Sequence, residues 1–180
     1  GTVNKLSDNT ATTAYDLASI GTYDWWACFN SGSFASPDTK SGGPGDISAT
    51  AIAGVSSNSS TGHYVQFLKF SSGTPTASNT SSPNGDDGAV IVGQAGPTVG
   101  TSTTRFTIDI GTTQRTISIW FLSVPADTVA ITASLSDGSA SNYTYSGTNN
   151  LWNTRLDLTA KAGSAAQTLT VDIENQTGTG

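Results

Sequence analysis

The sequence predicts an all-β protein: an antiparallel β-sandwich, with a jelly roll as the first choice of topology and an immunoglobulin-like sandwich as the second. Three observations carry this. Apolar residues alternate with polar ones in short stretches through the second half of the chain. The composition holds 25 Ser, 29 Thr and 20 Gly but one Glu and no Met, which disfavours long helices and suits short strands joined by polar turns. Turn residues also punctuate the alternating stretches at strand-length intervals.

The first half is the less regular. Residues 15–20, 23–29, 47–55, 64–70 and 89–92 read as strands, separated by Gly/Ser/Pro/Asn-rich loops at 31–46, 56–62 and 71–88. The second half is clearer. Phe106, Ile108 and Ile110 share one strand face, with Thr107 and Asp109 on the other. After the turn at 111–114, Ile117, Ile119 and Phe121 repeat the pattern, and the two runs read as a hairpin. Val129, Ile131, Ala133 and Leu135 form the next strand, entered through Pro125 and left through Asp137-Gly138, where glycine tolerates a positive φ. Leu156 and Leu158, then Leu169, Val171 and Ile173, supply two more strands around a loop at 161–167. The expected core is Ile108, Ile117, Ile119, Phe121, Ile131, Leu135, Leu169 and Val171.

No loop is long or charged enough to read as a domain linker, and no repeat of 20–50 residues is visible, so residues 1–180 are expected to form one domain. Seven basic residues against thirteen acidic ones give a net charge of -6, which repels nucleic-acid phosphates. No apolar run approaches the roughly 20 residues of a membrane-spanning helix. A lone Cys28 excludes an internal disulfide and a cysteine-based zinc cluster. The Ser/Thr/Gly-rich, lysine-poor surface points to an extracellular or virion-surface location.

Four stretches carry a resemblance: Gly21-Thr-Tyr-Asp-Trp25, Phe70-Ser-Ser-Gly-Thr-Pro-Thr-Ala-Ser78, Leu135-Ser-Asp-Gly-Ser-Ala-Ser-Asn-Tyr-Thr144 and Ala165-Ala-Gln-Thr-Leu-Thr-Val171. In this order they resemble galactose-binding-like jelly-roll modules of secreted bacterial and phage structural proteins, over most of the chain from about Tyr15 to Ile173. The resemblance implies a structural calcium ion, a hard cation that takes six to eight oxygen ligands. The candidate ligands are Asp86 and Asp87 in the Asn84-Gly-Asp-Asp87 run, and Asp8 with Glu174 near the two termini. It also assigns Trp25 to the core, so that the adjacent Trp26 points outward on a strand.

Catalysis is not expected. His63 is the one imidazole and stands beside no serine-centred elbow, while several Asp residues sit in turns where they bond their own backbone. Aromatic residues are the informative set. Trp120 opposes the apolar face of its strand, and Tyr143, Tyr145 and Trp152 fall in a stretch with Asn153 and Arg155. Aromatic rings stack on the C–H faces of sugars while Asn and Arg bind hydroxyls. Trp26, Trp120, Tyr143, Tyr145, Trp152, Asn153 and Arg155 are therefore the candidate ligand-binding residues. The expected function is a non-catalytic carbohydrate-binding or attachment module whose partner is a glycan or cell-surface polysaccharide. The alternative is a structural subunit of a virion decoration, fibre or extracellular filament, in which the same aromatics make assembly contacts. A glycosidase is a distant third.

Overall fold

A computed structural model describes residues 1–10, 15–27, 38–52, 57–58, 68–69, 73–74, 91–92, 102–121, 128–148 and 154–177. Eight longer strands make its frame: β1 (Thr2–Thr10), β2 (Ile47–Ile52), β3 (Ser102–Ile110), β4 (Arg115–Phe121), β5 (Thr128–Leu135), β6 (Tyr143–Thr148), β7 (Thr154–Lys161) and β8 (Gln167–Thr177). They form two antiparallel sheets, one of five strands in the order β6-β5-β8-β3-β2 and one of three in the order β1-β7-β4. The fold is an antiparallel β-sandwich.

The alternation seen in the sequence is the physical reason for the two layers. Val129, Ile131, Ala133 and Leu135 are buried along β5 while the residues between them are not. They meet Ile108, Ile110, Leu169 and Val171 from the same sheet, and Val3, Ile119, Leu156, Leu158 and Ala160 from the other, in one apolar core. Ile117 of the expected core is partly buried against this cluster. The Phe121 side chain lies outside the described residues.

Three readings of the sequence are corrected. The runs at 106–110 and 117–121 are not a hairpin: β3 pairs with β8 and β2, whereas β4 pairs with β7 in the other sheet. Both runs are amphipathic, so the turn between them serves equally well as an arch that carries the chain over the core. Residues 15–20 are not one strand. After Tyr15–Asp16 the chain makes a helical turn, Leu17–Ile20, which buries Leu17. Finally, β1 and β6 are strands that the sequence reading passed over. Among the described side chains of β1 only Val3 is buried, and a bulge between Lys5 and Ser7 breaks the alternation.

Beside the two main sheets stands a small antiparallel sheet formed by Trp26–Ala27, Asp38–Lys40 and Gly73–Thr74. Trp26 packs edge-to-face on Phe106 of β3, with ring centroids 6.0 Å apart.

The chain changes sheets at β3–β4 and again at β7–β8, and the two arches meet where Ala162 N–H donates to Gly111 O at 3.1 Å. The β5–β6 connection joins them at this end of the sandwich. Asp137 accepts main-chain N–H groups from Ser139 (3.0 Å), Gly163 (2.9 Å) and Ser164 (3.2 Å). The hydrogen bond from the Ser139 hydroxyl first, and then these main-chain bonds, hold the Asp137 carboxyl at a pKa of about 2. Gly138, expected in the turn, has φ of +61°.

Candidate binding site

The best-built surface feature at this same end is the loop at 21–25. Gly21 N–H closes the preceding helical turn onto Leu17 O at 2.7 Å. A Cβ on Gly21 would stand 2.7 Å from Asp24 O and 2.9 Å from Trp25 Cβ, so the chain can double back this tightly only at glycine. Trp25 is buried and anchors the loop, as the resemblance implied.

Asp24 then ties the loop to its surroundings. One carboxylate oxygen accepts Trp25 N–H at 3.0 Å, and the other accepts Asp46 N–H at 2.8 Å. Trp25 O accepts Lys40 N–H at 3.1 Å, and Asp46 O accepts Asp109 N–H of β3 at 2.8 Å. The loop is therefore pinned through the 41–46 connection to the five-stranded sheet. Gly43 makes room for this: a Cβ there would lie 2.6 Å from the Asp24 carboxylate.

Between the glycine and the aspartate stands Tyr23, 49 % exposed and the one large exposed hydrophobic side chain among the described residues. The guanidinium carbon of Arg115, first residue of β4, lies 3.8 Å from the centroid of its ring. This is a cation–π stack, which at an exposed site contributes about 0.5–1 kcal/mol. It covers one ring face with a flat cation and leaves the rest of the ring to solvent.

Arg105 differs. On the outer face of the five-stranded sheet its guanidinium makes two 2.7 Å bonds to the Asp172 carboxylate, which raise its pKa. Among the described residues no carboxylate pairs with Arg115.

Those of the expected ligand-binding residues that the structure describes are dispersed. Trp26 is half-buried against Phe106 rather than clear of the fold. Tyr143 and Tyr145 pair with Ala133 and Ile131 of β5 and pack against the core from the edge of the five-stranded sheet. Trp120 and Arg155 are direct cross-strand partners in the other sheet, away from the tyrosines; their side chains lie outside the described residues. Trp152 and Asn153 lie outside the described residues altogether, as do Asp86, Asp87, His63 and Cys28.

Asp8 pairs with Leu156 in the three-stranded sheet, while Glu174 pairs with Thr103 and Ala130 in the five-stranded one. Glu174 alternates with the buried Val171 and half-buried Ile173 that face the core, so it belongs to the outer face. The two residues thus lie on strands of different sheets, and the Asp8 side chain lies outside the described residues. Among the described residues no group of three or more His, Cys, Asp or Glu is placed to hold a metal ion.

The sequence reading missed Tyr23 and Arg115 as a pair, although Tyr23 lies within the quoted Gly21-Thr-Tyr-Asp-Trp25 stretch. Ninety-two positions separate them, and nothing local signals the contact. It also missed Asp157, a buried carboxylate on β7 that accepts the Ser118 hydroxyl at 2.6 Å. No protein-family model, curated protein or solved structure matches this chain. Among the described residues no helix is long and apolar enough to cross a membrane.

Proposed function

We propose that the protein is a non-catalytic carbohydrate-binding or attachment module acting outside the cell or on a virion surface, and that Tyr23 is the centre of its binding surface. One observation carries this reading: an exposed aromatic ring, backed by a guanidinium and mounted on a loop that Asp24 and Trp25 fix in place. A flat ring held before the ligand arrives presents apolar area to sugar C–H groups at little entropic cost. Loops at one end of a rigid sandwich are a common place for such a surface. The sheet-switching connections at β3–β4, β4–β5, β6–β7 and β7–β8 support a jelly-roll-like topology of the galactose-binding kind, for which a structural calcium ion is the expected companion.

A surface of this size gives weak single-site binding, roughly micromolar to millimolar, raised by multivalent display. Screening the wild-type chain and Tyr23→Ala on a glycan array, with light scattering on both, tests the reading. Retention of glycans by the wild type and their loss in Tyr23→Ala support it. No retained glycan, together with an oligomer that Tyr23→Ala breaks up, replaces it with the structural-subunit alternative.

A further inference from the structure

Resting on the carbohydrate-binding reading, we infer that the Tyr23–Arg115 platform selects saccharides that carry isolated carboxylates, such as a single uronate or sialate among neutral units. The argument begins with the guanidinium. A planar fork of N–H donors matches a carboxylate in a bidentate way that a hydroxyl cannot reproduce. Arg105 has spent that capacity on Asp172, at 2.7 Å for each bond. Arg115 has not: it stacks on Tyr23 with no carboxylate partner among the described residues.

A guanidinium that stacks rather than ion-pairs keeps the N–H donors along its edge for another acceptor. A sugar unit laid on the open part of the Tyr23 ring thus places a carboxylate, on itself or its neighbour, within reach of that edge. Asp24 makes no ion pair with the cation; its oxygens accept Trp25 N–H and Asp46 N–H instead. The chain as a whole sets the upper limit on charge. A net charge of -6 repels densely charged polyanions, so the favoured ligand holds one carboxylate among neutral sugars.

The test is an array of neutral glycans and their singly carboxylated counterparts, sialylated against asialo and uronate-terminated against hexose-terminated. It is read with wild type, Arg115→Gln, Arg115→Lys and Tyr23→Ala, each checked for an unchanged circular-dichroism spectrum and melting temperature. The wild type is expected to prefer the carboxylated member of a pair by about tenfold or more, the usual scale of a charge-assisted bond. Arg115→Gln should bind both members equally, Arg115→Lys should keep part of the preference, and Tyr23→Ala should lose both members. Equal retention of neutral and carboxylated glycans by the wild type overturns the inference and leaves the carbohydrate reading standing. Retention of no glycan overturns both.

Discussion

The Asp24 carboxylate accepts the main-chain N–H of Asp46 at 2.8 Å across 22 positions of sequence. This bond and its companion to Trp25 N–H make the aspartate the fastening of the loop that presents Tyr23. Removing it leaves two amides in search of partners. Asp24→Ala should destabilise the fold by about 1–3 kcal/mol in urea denaturation, the range for amides deprived of their acceptor. Gly43→Ala should act on the same fastening from outside, because its methyl group would press on the carboxylate at 2.6 Å. Combined, the two changes should cost less than their sum, since both act through one carboxylate.

Leu158 is fully buried where the three-stranded sheet faces β5 and β8. Leu158→Ala should lower unfolding free energy by about 2–5 kcal/mol, the range set by lost transfer energy and the remaining cavity. A chemical melt of the two chains checks this.

Asp137 fastens the β5–β6 connection to the β7–β8 arch, and its pKa is held at about 2. A carboxyl whose folded pKa is depressed contributes stability above its ordinary value near 4, and loses it as pH falls through the folded value. The wild type should therefore exceed Asp137→Asn in melting temperature at pH 6, with the difference shrinking between about pH 4 and pH 2. Melts of both chains across that range read the effect directly.

Tyr143 and Tyr145 line the core side of an edge strand. Tyr145→Ala should cost roughly 2–4 kcal/mol, somewhat under the ~3–5 kcal/mol of a fully buried aromatic, because the ring is partly exposed. Glycan binding at Tyr23 should survive the change at temperatures where the variant stays folded.

These contrasts show what the sequence discloses and what it hides. Period-2 alternation in β5 and β8 was legible because each strand turns one apolar face to a core that needs it. That same alternation could not say which sheet β4 joins, because a hairpin and an arch bury the same residues. β1 was invisible because its sequence is mostly polar and, among its described side chains, only Val3 is buried. The aromatic content pointed toward a binding surface, but adjacency in sequence grouped Tyr143 and Tyr145 with residues of the other sheet. Tyr23 and Arg115 meet only because the helical turn, the 41–46 connection and the β3–β4 arch converge at one end.

The most direct measurement of the central claim is a two-dimensional amide NMR titration of the isotope-labelled chain with a glycan retained on the array. Binding at the proposed platform predicts shifts concentrated at residues 21–25, 43–46 and 111–116, with the remaining strands unmoved, and their disappearance in Tyr23→Ala. Shifts that leave Tyr23 and Arg115 unchanged and gather instead around Trp120 and Arg155, or on the outer face of the five-stranded sheet, would contradict it.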